Sequence, residues 1–114
     1  PGISPYAVTV GGARITESGA EASEFSSRGP FGGYNKPDLV APAEDVFCTE
    51  GRDYASFTGT SIAAPIVAGA CARILSAHPE YTPDRVKEEL RRRASPVPGG
   101  ANAVGAGLLR IDGI

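Results

Sequence analysis

The chain of 114 residues contains no methionine and no tryptophan, a single histidine and only two cysteines. Two cysteines are too few for a disulfide scaffold, and Cys48 and Cys71 lack the spacing of a metal site. The absence of methionine favours excision of the chain from a longer precursor, although removal of an initiator before a proline would leave the same sequence. At this length the chain is one domain at most.

Neither sign of charge dominates the sequence. Eleven basic residues face thirteen acidic ones, for a net charge of −2, so the broad basic footprint of a nucleic-acid or membrane-surface binder is missing. The longest apolar run, Ile62 to Ala72, has eleven residues, whereas a membrane span needs about 20. Residues 1–5 carry neither a basic nor an apolar targeting segment. The composition predicts no nucleic-acid partner and no membrane segment.

Small residues are abundant instead. The chain has 17 alanines, 15 glycines and 10 prolines, beside 24 residues of Leu, Ile, Val or Phe. That apolar content and the low net charge favour a folded chain over a disordered one. The small side chains predict close backbone contacts and many turns.

Short strands are predicted in the first half of the chain. A β-branched run at residues 6–10 ends at Gly11-Gly12, and a second run at 39–41 lies between prolines. Residues 46–49 and 54–58 flank a glycine-containing loop and predict a hairpin. Residues 18–33 and 96–107 are predicted as loops, and residues 108–111 as a short terminal strand.

Two helices are predicted in the second half. Residues 61–77 are apolar on nearly every side, with Arg73 as the one charge, which predicts a central, buried helix. Pro65 is tolerated there because it falls in the first turn. A second helix begins at Thr82, an N-cap residue followed by proline. Val86, Leu90 and Ala94 form its apolar stripe, and Glu88–Arg92 and Glu89–Arg93 are favourable i,i+4 pairs.

The segment Phe57 to Pro65 is the most informative for chemistry, because a strand turns through Gly59 and delivers Ser61 to the start of the apolar helix. Unpaired amides and the helix dipole favour negative charge there, so an oxyanion forming beside Ser61 would be stabilised. An N-cap role is the commoner reason for a serine at this position. Spacing alone favours the cap over a nucleophile.

A serine nucleophile needs a general base, and the only histidine is badly placed for it. His78 follows Ser61 by seventeen residues on the same helix, which is roughly 25 Å at 1.5 Å per residue. His78 is therefore interpreted as a residue of the helix C-terminus, just before Pro79.

Several blocks of this sequence resemble the subtilisin-like serine proteases, the subtilases. Gly59 to Gly69 (GTSIAAPIVAG) is similar to their nucleophile motif, and the resemblance extends over essentially all 114 residues in the family's order. The other matching blocks are Tyr6 to Gly12, Phe25 to Pro30 (FSSRGP), Lys36 to Pro42 (KPDLVAP), Ile74 to Pro79 and Gly105 to Leu109.

The resemblance implies roles for five residues. Ser61 would be the nucleophile and its own amide an oxyanion donor, with Thr60 supporting that oxyanion hole. Thr58 and Gly59 would line the substrate cleft, and Phe25 would border the leaving-group side. Because the family order is Asp, His, Ser, the resemblance places the acid, the base and the side-chain oxyanion donor before residue 1.

Four positions depart from the family pattern. Ile66 stands where a structural histidine is usual, and Ile62 stands where methionine is usual, which should lower sensitivity to oxidation. Ala43 replaces a glycine, and Arg73 interrupts a stretch that is normally apolar. None of these changes removes the nucleophile.

The implied protein is an α/β domain, with a subtilisin-like three-layer fold and a mainly parallel sheet, of which residues 1–114 form the C-terminal part. The implied activity is that of a serine endopeptidase acting on protein or peptide substrates, with the remaining triad residues on an upstream segment or a partner chain. Without that segment the chain is predicted to be inactive. A secreted location and structural calcium are also implied, although no calcium ligand is identifiable. The alternatives are an inactive subtilase-like scaffold and an anion-binding module built on the Gly-Thr-Ser helix start.

Other reactive residues are assigned structural roles. Cys71 is interpreted as a packed apolar residue, and the sequence leaves open whether it bridges to Cys48. Residues 91–93, three arginines, are interpreted as a solvated helix face. The carboxylates of Asp38, Asp45 and Asp53 show no calcium-loop pattern.

Overall fold

The computed structural model describes all 114 residues and contains five strands and three helices. In chain order these are β1 (Val10–Thr16), β2 (Gly19–Ala22), β3 (Leu39–Pro42), β4 (Val46–Glu50), β5 (Asp53–Phe57), α1 (Thr60–Ala77), α2 (Pro83–Arg93) and α3 (Ala101–Val104).

The main sheet has the order β2-β1-β3, in which β1 is antiparallel to β2 and parallel to β3. Gly11 lies opposite Val40, and Gly12 lies opposite Ala41. The predicted strand over residues 6–10 was therefore wrong, because β1 starts at Val10 and runs through both glycines. Pairing with β3 holds them in an extended conformation. The predicted loop over 18–33 was wrong where β2 pairs with β1.

The predicted strand at 39–41 and the predicted hairpin are confirmed. β4 and β5 pair antiparallel, with Val46 opposite Phe57 and Glu50 opposite Asp53. Gly51 adopts a positive φ of 59° in the connecting turn, which glycine allows at little cost. The hairpin forms a separate two-stranded sheet.

Packing on both faces of the main sheet gives the three layers of an α/β fold. Leu39 and Ala41 of β3 belong to the main core with α1 and α2, while Val40 packs with Ala103 and Val104 of α3 on the opposite face. The alternation follows from the period of two along a strand. The parallel pairing lies between β1 and β3. The predicted terminal strand is reduced to bridges from Leu108 to Val40 and Ser95.

Helix α1 has one buried side and one exposed side. Its buried residues are Ala63, Val67, Ala70 and Ile74, while Ala64, Ala68, Gly69, Ala72 and Leu75 are exposed. The prediction of a buried helix was thus wrong for the outer side, because no element among the 114 residues covers it. By length and composition alone this helix could cross a membrane, a test that core helices of soluble proteins also pass. The absence of a membrane segment stays a prediction.

Helix α2 begins as the sequence predicts. The Thr82 hydroxyl accepts a hydrogen bond from the amide of Arg85 at 3.3 Å, and Pro83 is the first helical residue. Val86 and Leu90 are buried in the main core, which confirms the apolar stripe there.

A buried ion cluster joins α2 to the segment that leads into β3. The side chain of Asp38, 4% exposed, lies 3.0 Å from Lys36 Nζ and 3.1 Å from Lys87 Nζ, and it accepts the amide of Thr9 at 2.8 Å. Burial by itself raises the pKa of Asp38, but the hydrogen bonds from Thr9, Lys36 and Lys87 outweigh it and lower the pKa overall. The carboxylate therefore stays ionised between the two ammonium groups.

Candidate functional site

The candidate site is built at the junction of β5 and α1. Thr58 and Gly59 connect the two elements, and Gly59 is the N-cap of α1 with a φ of 150°, a conformation that favours glycine. The amide of Gly59 donates to the carbonyl of Ala43 at 2.7 Å, which fixes the start of the helix. No side chain caps α1. The N-cap interpretation of Ser61 was therefore wrong, because Ser61 is the second residue inside the helix.

Ser61 is exposed, and its hydroxyl makes no hydrogen bond within the chain. The amides of Thr60 and Ser61 also have no acceptor, whereas that of Ile62 donates to the Gly59 carbonyl at 3.0 Å. A Cβ on Gly59 would lie 3.8 Å from the Ser61 nitrogen, an ordinary contact distance, so the backbone conformation and not the space calls for glycine here. The tip of α1 thus offers a free hydroxyl beside free amide donors, which favour an anion.

Phe25 and Thr58 line the same cavity, of about 640 Å³. Its charged walls are Arg14, Glu21, Glu24 and Glu44. The hydrogen bond from Arg14 to Glu21, followed by the charge of Glu21, raises the pKa of Arg14, and the charges of Glu44 and Glu24 act in the same direction. Three carboxylates around one guanidinium leave the cavity negatively charged, which favours cationic groups over anionic ones.

Phe25 and Thr60 meet at Gly12 of strand β1. A Cβ on Gly12 would lie 3.3 Å from the Phe25 ring and 3.4 Å from the Thr60 methyl group. Thr60 also lines a second cavity of about 280 Å³, whereas Ser61 lies outside the three main cavities. The fold thus brings Phe25, Thr58 and Thr60 around the helix start at which Ser61 is exposed.

His78 occupies the other end of α1, as the sequence predicts. It is the C-cap residue, and its amide donates to the carbonyl of Ile74 at 2.8 Å. The imidazole stacks on Tyr81 with ring centroids 4.5 Å apart and lies 3.6 Å from Glu80. The 114 residues therefore supply no imidazole at Ser61.

No group of three His, Cys, Asp or Glu side chains is arranged to hold a metal ion. The structural calcium that the family resemblance implies stays a prediction. Both cysteines are free and half-buried. Burial raises the pKa of Cys71, in keeping with its interpretation as a packed residue.

Two neighbours of the helix start were not identified as part of the site from the sequence. Gly12 and Ala43 lie directly behind the tip of α1, and a Cβ on Gly12 would be 2.8 Å from the Cβ of Ala43. The glycine pair inside a β-branched run and the alanine at a usual glycine position were the available signals. That Gly12 and Ala43 touch each other behind the helix tip is visible only in the folded chain.

Fold and site together define the class of protein, which is a three-layer α/β domain that presents a serine at an amide-rich helix start. The model of the subtilase family, peptidase S8, matches residues 1–113. The chain belongs to the subtilase family.

Individual relatives agree with this assignment. The chain is 35% identical over 111 residues to serine protease AprX of Bacillus subtilis, covering 80% of this chain and 25% of that protein. It is 36% identical over 113 residues to subtilisin E of Bacillus subtilis, covering 98% and 27%. The structure of the CspB protease of Clostridium perfringens superimposes with a TM-score of 0.84 at 30% identity, covering 98% of this chain and 26% of that one. The chain thus spans about a quarter of the length of these proteins.

Proposed function

We propose that this chain carries the nucleophile of a serine endopeptidase of the subtilase type, and that Ser61 is that nucleophile. The observation that supports the proposal is the free, exposed hydroxyl of Ser61 beside the unbonded amides of Thr60 and Ser61, in a chain that belongs to the subtilase family.

In the proposed reaction the Ser61 oxygen attacks the carbonyl carbon of the scissile peptide bond. The carbonyl becomes an oxyanion, which the amide of Ser61 stabilises with support from Thr60. Collapse of this intermediate expels the amine, leaves an acyl group on Ser61, and water then releases the acid. Thr58 and Gly59 border the bound peptide, and Phe25 borders the departing amine side.

The base that takes the Ser61 proton lies outside these 114 residues in this proposal. His78 is at the opposite end of α1, and the chain spans about a quarter of the length of AprX and of subtilisin E. We infer that the histidine and the acid that orients it are contributed by an upstream segment or a partner chain. The outer face of α1 is then the surface that this segment covers, and residues 1–114 form the C-terminal part of one domain.

The proposal is tested by labelling with a fluorophosphonate, which reacts with activated serines. In the polypeptide that carries the complete domain, Ser61→Ala should reduce labelling and peptide hydrolysis by roughly 10³-fold or more. Ser76→Ala is the matched control, because Ser76 is an exposed serine in the last turn of the same helix, and it should label like the parent protein. The 114-residue chain alone should not label, and Ser61-dependent hydrolysis by it would contradict the proposal.

Two alternatives give different results in the same experiment. An inactive subtilase-like scaffold leaves even the complete domain unlabelled. An anion-binding module binds inorganic phosphate equally well in the parent protein and in the Ser61→Ala variant, because the ligand contacts amides only. A secreted location is part of the proposal, and finding the protein in the culture medium would support it.

A further inference from the structure

Gly12 stands at the point where strand β1 passes behind the tip of α1. It is buried and extended, and its φ is not among the positive values that favour glycine. An ordinary residue could therefore adopt this backbone conformation. The reason for glycine at this position must be space.

The space that a side chain would need is already occupied on three sides. A Cβ on Gly12 would lie 2.8 Å from the Cβ of Ala43, 3.3 Å from the Phe25 ring and 3.4 Å from the Thr60 methyl group. Real Cβ atoms almost never approach within 3.0 Å of another carbon. Because the Cβ of Ala43 is attached directly to the backbone, only a backbone shift could relieve the contact.

The backbone of Gly12 also holds the segment that bears Phe25. Its amide donates to the hydroxyl of Ser26 at 3.0 Å, and its carbonyl accepts the amide of Ser23 at 2.9 Å. Ser23 and Ser26 flank Phe25 in the sequence, so any shift of Gly12 is passed on to the Phe25 ring.

Ala43 links the same point to the helix tip. Its amide donates to the carbonyl of Ala13 at 2.9 Å, and its carbonyl accepts the amide of Gly59 at 2.7 Å. Gly59 is the N-cap of α1, two residues before Ser61. Displacing Ala43 from β1 therefore displaces the start of α1.

From these contacts we propose that Gly12 is a positioning residue, which sets the spacing between the Phe25 wall and the helix tip that carries Ser61. The inference rests on the proposed role of Ser61 as a nucleophile. Gly12 acts through Ala43, Phe25 and Thr60 and touches no reacting atom itself.

The test is Gly12→Ala in the polypeptide that carries the complete domain, assayed with an acyl ester substrate whose leaving group is small. A shift of a few tenths of an ångström at the nucleophile should lower kcat by about tenfold. KM should change by less than about twofold, because a small leaving group makes little contact with the displaced Phe25 wall. Adding Ala43→Gly removes the 2.8 Å contact and should restore kcat to within about threefold of the parent.

Val86→Ala is the control for loss of stability. Val86 is buried on α2, and its truncation leaves a cavity away from Gly12. This variant should lower the midpoint of thermal unfolding yet keep the parental kcat at a temperature well below that midpoint.

An unchanged kcat in folded Gly12→Ala would overturn the inference, as would a double variant that folds but stays about tenfold slow. If Gly12→Ala alone does not fold, the kcat of the double variant decides: a value within about threefold of the parent supports the inference, and a value about tenfold lower overturns it. A parent protein that neither hydrolyses the ester nor labels with fluorophosphonate would instead refute the proposed function, so the two failures are distinguishable.

Discussion

The two long helices are attached to the same sheet in different ways. Helix α2 has an apolar stripe in the core, an ion pair from Lys87 to Asp38 and a polar outer side. Helix α1 is held by the small and branched residues of one side, while Ala68, Ala72 and Leu75 on the other side are exposed. The apolar side of the amphipathic helix α2 is covered by other residues of this chain, and its polar side faces solvent. Under the proposed function, the exposed apolar side of α1 is the surface that the upstream segment covers.

The two helices also differ in the caps and charges at their ends. Helix α2 is capped by Thr82, has Asp84 in its first turn and ends in three arginines, which all complement its dipole. Helix α1 has no side-chain cap, no acidic residue in its first turn and no basic residue in its last. Its start is left electrostatically uncompensated, which favours an anion at that position.

The largest expected loss of stability comes from a variant that breaks the ion pair between α2 and Asp38. Asp38→Asn removes the only negative charge between Lys36 and Lys87, whose side chains are 8% and 15% exposed. Leaving two cations unpaired at a buried position should lower the free energy of unfolding by about 3–5 kcal/mol. Urea denaturation at pH 7 measures the loss. Asp112→Asn, which affects an exposed pair with Arg110, should cost less than about 1 kcal/mol, and an equal cost for both would contradict the anchoring role.

The second prediction compares the two sides of α1. Ile74→Ala empties a core position that is 1% exposed and should cost about 2–5 kcal/mol. Leu75→Ala, at a side chain that is 41% exposed, should cost less than about 1 kcal/mol in the 114-residue chain. In a polypeptide that carries the complete domain, the cost of Leu75→Ala should approach that of Ile74→Ala. A cost that stays small in both would show that the outer side of α1 remains uncovered.

The smallest expected effect concerns Glu89 of α2, whose side chain is 8% exposed while its partners Arg92 and Arg93 are 65% and 21% exposed. Hydrogen bonds from Arg92, and also from Arg93, lower the pKa of Glu89 to about 2, although burial acts in the opposite direction. A lowered pKa means that the stabilisation is complete above about pH 4.5, the ordinary value for glutamate, and is lost as the pH falls towards 2. Glu89→Gln should cost about 1.5–3 kcal/mol at pH 7, the range for hydrogen bonds to a charged group, and flatten the dependence of unfolding free energy on pH in that window. An unchanged slope between pH 4.5 and 2 would argue against this ion pair.

The sequence was sufficient for elements whose determinants are local. The Thr82 cap, the Pro83 start and the Val86 and Leu90 stripe predict α2 as it is observed, and the Gly51 turn predicts the hairpin. Subtilase motifs likewise predicted the family and the three-layer α/β fold, including the position of Ser61 at a helix start.

Elements that depend on distant partners were not predictable in the same way. Gly11 and Gly12 look like a strand end, yet pairing with β3 keeps them extended inside β1. Residues 19–22 become a strand only because β1 lies beside them. Of the two predicted i,i+4 pairs, Glu89–Arg93 is confirmed, whereas Glu88–Arg92 was wrong, because Arg92 pairs with Glu89 and Glu88 pairs with Arg85. The contacts of Gly12 behind the helix tip come from three separate segments, so the sequence shows the unusual residues but not that they touch.

The ammonium group of Lys87 also has a consequence for the order in which the chain folds. It donates to the carbonyls of Pro5 and Ala7 at 2.9 and 2.8 Å, so the opening residues, which belong to no strand, are held by a contact 80 or more positions away. Closing so long a loop is entropically costly until both ends are already arranged. Ala7 and Thr9 are also held by Lys36 and Asp38, so we expect only the first six residues to dock last, and their amides to exchange with solvent deuterium sooner than those of β1 or α2.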